Sequence, residues 1–233
     1  KRATAVGSGC HWARNGTASL AFVRLTANRN SGVFAIDEGT VVAGDHVLID
    51  HTRGRKNDGE TGRGIDVKAG ASLTLDAIRC SANHDRGLFV DGEGSRADIS
   101  RLLMDGTLSQ QSDLVGGWGV VVHNAGRLEL KDARLTASRD AGLLVAGLGS
   151  EVTARRLLVD GTRSRKSNGV AGNGVGVWDR ASLRLTGARI SGNRNTGITV
   201  SGAGSWVLAR NVLVDGTRSR QSDGLGGIGV NAE

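Results

Sequence analysis

The sequence contains no proline and no tyrosine, and only three of its 233 residues are phenylalanine. No stretch approaches the 18 consecutive apolar residues that a membrane-spanning helix needs, so we expect no membrane insertion. Lys1 opens directly into patterned sequence, without the apolar core of a signal peptide. With so few aromatic rings, any core must be built from Val, Leu, Ile and Ala and must be narrow. Together with 37 glycines, these absences indicate a repetitive chain rather than an average globular one.

The formal net charge is +7, which could attract an acidic polymer, a membrane surface or nucleic acid. The basic residues are spread along the chain rather than collected in one tail. Charge alone therefore favours no particular polyanion.

An internal repeat of 55 residues runs through the chain. The tripeptide Asp-Gly-Thr begins at Asp105, Asp160 and Asp215, and Asp50-His51-Thr52 stands at the same phase one repeat earlier. Further columns of residues share this interval: Asn28, Asn83, Ser138 and Asn193; Gly32, Gly87, Gly142 and Gly197; and Gly64, Gly119, Gly174 and Gly229. Because independent columns keep one register, the repeat is the basis of every structural expectation below.

Within each repeat, apolar and polar residues alternate in short bursts such as Leu183-Arg184-Leu185 and Ile198-Thr199-Val200. A two-residue period is typical of strands, and Gly, Asn, Asp and Ser between the bursts predict sharp turns. The segment around Asn193 resembles the segment around Thr217, 24 positions on, so each repeat contains two coils. Every second coil carries about eight extra residues, which we interpret as a loop.

The pattern resembles the right-handed parallel β-helix repeat proteins, the pectate-lyase-like superfamily, over essentially the whole chain. This resemblance implies an all-β, right-handed parallel β-helix (solenoid) with a 55-residue two-coil repeat, about eight coils and three short parallel sheets. We expect residues 1–233 to form a single such domain. In this architecture one corner carries a ladder of stacked polar side chains, which fits Asn28, Thr52, Asn83, Thr107, Ser138, Thr162, Asn193 and Thr217.

The inward positions form aliphatic columns. They are Leu73, Leu128 and Leu183; Leu25, Cys80, Leu135 and Ile190; and Val90, Val145 and Val200. Cys80 takes an aliphatic position in its column, and Cys10 aligns with Ile65 and Val120 in another. Since the two cysteines lie about three coils apart, beyond the reach of a disulfide, we predict two free thiols.

Two sets of arginines are candidates for binding a polyanion. The outward column Arg24, Arg79, Arg134 and Arg189 repeats every second coil, about 9.6 Å, close to the length of a repeating disaccharide. The long loops contribute a basic ridge with Arg163, Arg165, Arg218 and Arg220. This spacing suggests that the arginines bind an acidic polysaccharide. The simpler alternative is that they are solvated or paired with nearby residues.

In the alternate coils the same outward position holds Leu48, Leu103, Leu158 and Leu213. An apolar column is poorly placed in open water, so we expect a cover. Folding back of the long loops is our first interpretation, and a lateral partner is the second.

No unique catalytic set emerges from the residues. Asp50, Asp105, Asp160 and Asp215 recur in every repeat, which favours a turn-forming role, and no position matches the acidic and basic catalysts of pectate-lyase-like enzymes. The five histidines stand at different phases, so we predict no metal site and no cofactor. The tryptophans Trp118, Trp178 and Trp206 do not align into a stacking ladder, which argues against nucleic acid.

Lys1 aligns with a loop position and Glu233 follows the last strand of a coil, so the chain starts and stops within the pattern. We expect a segment of a longer chain without its end caps, or end-to-end stacking of copies, and favour the first. The leading hypothesis is a non-catalytic, secreted or cell-surface scaffold: a spacer, adhesin shaft or filament element. The alternative is a polysaccharide lyase, glycoside hydrolase or carbohydrate-binding module that uses the basic face.

Overall fold

The computed structural model describes residues 8–233, and these residues form seventeen strands and no helix. The described part therefore has no helix that could cross a membrane. The strands are β1 (Cys10–Trp12), β2 (Thr17–Thr26), β3 (Ser31–Ile36), β4 (Val41–Asp50), β5 (Arg63–Lys68), β6 (Ser72–Ser81), β7 (Arg86–Asp91), β8 (Arg96–Asp105), β9 (Trp118–His123), β10 (Arg127–Thr136), β11 (Ala141–Ala146), β12 (Glu151–Asp160), β13 (Asn173–Trp178), β14 (Ser182–Ser191), β15 (Thr196–Ser201), β16 (Trp206–Asp215) and β17 (Ile228–Ala232).

The odd-numbered strands form a nine-stranded sheet and the even-numbered strands an eight-stranded sheet. Within each sheet every strand pairs in parallel with the next strand of the same parity. The chain thus alternates between the two sheets and adds one strand to each as it advances. This arrangement confirms the predicted parallel β-solenoid.

The eight-stranded sheet supplies two faces of the solenoid because each of its ten-residue strands turns a corner. The sixth residue has a positive φ of 52–65° in every strand: Phe22, His46, Ala77, Arg101, Asp132, Arg156, Gly187 and Asn211. In β6 the buried residues accordingly stand at the second, fourth, seventh and ninth positions. Two of the three expected short sheets are therefore one hydrogen-bonded sheet, since the ladder continues through the corner.

The strand register explains the sequence repeat. Arg24 pairs with Leu48, 24 positions on, and Leu48 pairs with Arg79, 31 positions on. The same two steps alternate along the whole sheet and sum to 55. The longer step contains one of four long loops, which span residues 53–62, 108–117, 163–172 and 218–227 and precede β5, β9, β13 and β17.

The core is a continuous aliphatic column between the two sheets. Leu73, Leu128 and Leu183 are at most 2% exposed, and Cys80 occupies its aliphatic column fully buried. Cys10 and Cys80 are both free cysteines, as predicted. Burial raises the pKa of the Cys80 thiol to about 12, so Cys80 behaves as a small core hydrophobe.

The glycine column that begins at Gly32 exists because strands from adjacent coils approach it closely. A methyl group on Gly142 would collide with Cγ1 of Val159 and would lie 2.8 Å from the carbonyl oxygen of Gly174. The glycine of the Asp-Gly-Thr turn has a different role. Gly161 has a φ of +66° and open space around its Cα, so it serves the turn geometry alone.

Candidate binding faces

The polar ladder lies at a buried corner, and its amides bind the backbone of the preceding coil. The Thr52 N–H donates to Oδ1 of Asn83 at 3.0 Å, and Nδ2 of Asn83 donates to the Ile49 carbonyl at 3.1 Å. Asn193 repeats both bonds with Thr162 and Val159. These two amides therefore join neighbouring coils by pairing backbone N–H and C=O groups. If the side chains only stacked on one another, those backbone groups would be left without a partner.

The ladder's hydroxyl members are placed differently. The side-chain oxygens of Thr52, Thr107, Ser138 and Thr162 are buried and have no hydrogen-bond partner within the described residues. Nδ2 of Asn28 likewise has no partner in this part of the chain, so the bonds between amide and backbone occur at Asn83 and Asn193.

The arginine column projects from the eight-stranded sheet between the corner residues and the strand ends, and all four side chains are exposed. Arg24 donates to Oδ2 of Asp50 at 3.2 Å, and Arg189 donates to Oδ2 of Asp215 at 2.9 Å. Arg79 and Arg134 form no ion pair within residues 8–233. The column therefore contains two locally paired and two free guanidinium groups.

The aspartate column belongs to this same face. Burial tends to raise the pKa of Asp50, but hydrogen bonds from Thr26 and the charge of Arg24 outweigh it and lower that pKa. Asp105 accepts a hydrogen bond from the Thr136 hydroxyl at 2.8 Å. Asp50 and Asp105 therefore link adjacent coils through their carboxylates.

The outward leucines share one row with the arginines. Arg24, Leu48, Arg79, Leu103 and the following members alternate directly across the sheet. Leu48, Leu103 and Leu158 are half-buried between two arginine positions, whereas Leu213, on the last strand of the sheet, is 53% exposed. Long arginine stems can cover apolar neighbours, and each of these half-buried leucines lies between two arginine positions; a cover by loops or a lateral partner stays a prediction.

The long loops stack in two pairs. The Gly54 N–H donates to the Gln111 side chain at 3.1 Å, which joins the first loop to the second. The Gln221 N–H donates to Oγ of Ser164 at 3.2 Å, which joins the third loop to the fourth. The base of each loop is held from the adjacent turn by Arg29, His84, Arg139 or Arg194, each hydrogen-bonded to a loop carbonyl.

The predicted basic ridge is only partly free to meet a ligand. Arg163 and Arg218 are exposed and unpaired in the described part of the chain. Arg165 binds the buried Asp140, with 2.8 Å between Nε and Oδ2, and Arg220 binds Asp223 at 2.7 Å. Two of the four predicted ridge arginines therefore anchor structure.

A cluster that the sequence analysis missed lies on the outer surface of the nine-stranded sheet. Three cations surround one ring: Arg63, Lys68 and Arg86 lie 4.4–5.2 Å from the centre of Phe89. Two buried carboxylates compensate their charge: Arg63 donates to Asp66 at 2.7 Å and to Asp85 at 3.1 Å. We call these six residues, Arg63, Asp66, Lys68, Asp85, Arg86 and Phe89, the Phe89 cluster.

Burial dominates the electrostatics of the Phe89 cluster. It lowers the pKa of Lys68 and the pKa of Arg86, since removal from water disfavours the charged form. Burial acts in the same direction on Arg63, but the charges of Asp66 and Asp85 outweigh it and raise the pKa of that guanidinium. Oδ1 of Asp66 has no hydrogen-bond partner within the described residues.

An aromatic hollow of about 260 Å³ adjoins the Phe89 cluster. Trp118 and Trp178 flank it, Arg86 lies 5.1 Å from the Trp118 ring, and Val121 and Leu144 form its floor. Aromatic walls with a few charged groups at the rim are typical of a small-ligand or saccharide site. One signal in the sequence could have located this hollow. The outward column that contains Phe89, Val121, Leu144 and Gly176 changes its residue type from coil to coil, so the repeat breaks down there.

Three of the five histidines have polar partners of their own. His46 binds Asp45 at 2.7 Å, His84 contacts the Ser109 carbonyl at 2.8 Å, and His123 lies 3.4 Å from Asp91. Residues 8–233 contain no group of three or more His, Cys, Asp or Glu side chains with metal-binding geometry.

Comparisons with known proteins give no family. No protein-family description matches the chain, and no curated protein sequence matches it. One solved structure, the TibC-catalysed hyper-glycosylated TibA fragment, is 12% identical and aligns over 92% of this chain and 99% of its own. Its TM-score is 0.13, so this likeness carries no argument.

Proposed function

We propose that this chain is a non-catalytic, secreted or cell-surface β-solenoid scaffold that serves as a spacer, adhesin shaft or filament element. The observation that carries the proposal is the unbroken succession of parallel pairings through both sheets. Each coil is hydrogen-bonded to the next along two sheets, and Asn83 and Asn193 add bonds between coils at the polar corner. Such a stack resists bending, because bending must strain many backbone hydrogen bonds together.

The surface charges support the same role. Arg24 with Asp50, Arg156 with Asp132 and Arg189 with Asp215 each join neighbouring coils. Exposed ion pairs contribute little individually, about 0.2–1 kcal/mol each, but a repeated set adds lateral order along the rod. Charges used between coils are typical of a structural surface.

A second candidate is carbohydrate binding of the pectate-lyase-like type, with turnover as its stronger form. Two observations favour it. Arg79 and Arg134 are exposed and lack ion pairs within the described residues, so both can meet an acidic sugar. The hollow between Trp118 and Trp178 offers aromatic surface for a sugar ring.

One experiment separates the candidates: binding and product release across a panel of acidic and neutral polysaccharides. The wild type is compared with Arg79→Ala/Arg134→Ala and with Trp118→Ala/Trp178→Ala. The scaffold proposal predicts that none of the three proteins cleaves a chain, and a spacer or filament element also predicts no binding by any of them. Cleavage of any polymer contradicts it. Uncut binding that is lost in one variant locates the site on the arginine face or in the aromatic hollow, and supports an adhesin shaft.

A further inference from the structure

The first half of the eight-stranded sheet, before its corner, has a charge order that the sequence repeat does not require. Outward side chains of β4 to β16 line a shallow trough, whose central part encloses about 840 Å³. We define the trough charges as Asp45, Asp76, Asp98, Glu129, Lys131, Arg155, Arg184 and Arg210. They stand at the third and fifth positions of their strands, so their side chains share one face.

The sign of these charges changes once along the rod. At the third and fifth positions, β4, β6 and β8 contribute only carboxylates, the central strand β10 contributes Glu129 and Lys131, and β12, β14 and β16 contribute only cations. The first position of each strand lies on the same face and adds Arg96, Arg127 and Glu151, which pair with one another or with Asp98 and Glu129. With these three included, the charge by strand from β4 to β16 is −1, −1, 0, +1, 0, +1 and +1, so the trough is acidic at its β4 end and basic at its β16 end.

A face whose two ends carry opposite charge is complementary to its own inverted copy. Consider two copies whose troughs face each other, related by a two-fold axis that runs parallel to β10 between them. In this arrangement β4 of one copy lies opposite β16 of the other, β6 opposite β14, and β8 opposite β12. Every acidic strand then meets a basic one, with Asp45 opposite Arg210. A parallel arrangement would instead oppose strands of the same sign. We propose that this face pairs two copies of the chain in an antiparallel, two-fold dimer.

The basic half supplies the driving force. Lys131, Arg155, Arg184 and Arg210 are exposed, and none forms an ion pair within residues 8–233. The acidic half is partly neutralised from its rims: Arg101 binds Asp76, and Arg96 donates to Asp98 at 3.0 Å. Because part of the attraction is already satisfied within one copy, we expect a weak dimer rather than an obligate one.

The available area agrees with a weak dimer. The seven strands span six strand spacings along the rod and five residues across, which gives each copy about 29 by 16 Å, or about 930 Å² buried in total. This lies at the small end of specific interfaces, where binding is transient. The pairing should also weaken with salt, because exposed charges are screened within about 3 Å at 1 M ionic strength.

The test is sedimentation velocity over a concentration series, at low and at high salt. The basic-half variant is Arg155→Glu/Arg210→Glu and the acidic-half variant is Asp45→Lys/Asp98→Lys. The proposal predicts a salt-sensitive dimer for the wild type and a Kd raised at least about tenfold in either variant alone. Mixing the two variants restores the dimer, because each reversed half then faces its complement. This rescue also shows that both variants are folded.

A matched control reverses the same number of charges on the neighbouring face: Arg79→Glu/Arg134→Glu should dimerise like the wild type. Three results overturn the proposal: a wild type that stays monomeric at low salt, a mixture that fails to recover, and equal weakening by the control. Binding of heparin to the basic half of a wild type that remains monomeric would assign that half to a polyanion instead.

Discussion

Arg165 reaches back 25 positions to bind Asp140, with 2.8 Å between Nε and Oδ2. Asp140 is 3% exposed, and burial raises its pKa although Arg165 acts in the opposite direction. One of the arginines that the sequence assigned to a ligand-binding ridge therefore holds a buried carboxylate in place. The same loop position in the next repeat, Arg220, pairs with the exposed Asp223.

Replacing Arg165 by Met should lower the free energy of unfolding by about 3 kcal/mol near pH 7, because it leaves a buried carboxylate without its cation. Without Arg165 the pKa of Asp140 rises further above its unfolded value, about 3.9. The deficit should be small below that value, where Asp140 is protonated in both states, and should grow as pH rises through the folded pKa. Urea unfolding at about pH 3 and at pH 7 measures the deficit.

The control is Arg220→Met, which removes an exposed pair and should cost less than about 1 kcal/mol at either pH. Equal losses in the two variants would show that the Arg165–Asp140 bond has no special role.

Gly142→Ala should destabilise the protein by about 2–3 kcal/mol, because the added methyl group meets Val159 and the Gly174 carbonyl. Gly161→Ala should cost only about 1 kcal/mol, since its site has open space and the penalty comes from φ alone. Chemical denaturation of the two variants compares these costs. The reverse order would contradict the strand spacing described above.

Asn193→Ala should cost about 3 kcal/mol, because it leaves the Thr162 N–H and the Val159 carbonyl without their partner. Thr162→Val keeps the shape and removes a hydroxyl that has no partner in the described part of the chain. We expect it to change stability by less than about 1 kcal/mol. A larger loss for Thr162→Val than for Asn193→Ala would mean that hydroxyls, not amides, hold the ladder.

The two thiols should react at very different rates. Burial raises the pKa of both, but Cys10 is only half-buried whereas Cys80 is fully buried with a pKa of about 12. Iodoacetamide at about pH 8 should modify Cys10 first and leave Cys80 intact until the protein is denatured. Mass spectrometry of the alkylated peptides reads the order directly, and early modification of Cys80 would place it outside the core.

The repeat predicted the solenoid, its two-coil unit, its core columns and its free cysteines because each of these depends on a period that survives in the sequence. The joining of two faces into one sheet was not predictable from turn residues. Its corner is occupied by residues such as Phe22, His46 and Arg101, which carry no signal for a positive φ. There the turn is fixed by the packing on either side rather than by local preference.

The contacts at the surface were also difficult to predict from the repeat. Ion pairs such as Arg165 with Asp140 join residues from different columns of the repeat. Comparing the residues within one column from repeat to repeat therefore does not reveal them. The Phe89 cluster escaped notice because its residues break the repeat. For this fold, positions where the period fails are the better guide to a binding surface.

The central claim is a rod made of interchangeable two-coil units, and removal of one unit tests it most directly. Deleting residues 161–215 joins Asp160 to Gly216 and restores Asp-Gly-Thr in the correct phase. Small-angle X-ray scattering should then show a folded particle shorter by two strand spacings, about 9.6 Å, with an unchanged cross-section. An unfolded chain, or a particle that shrinks equally in all directions, would contradict the account.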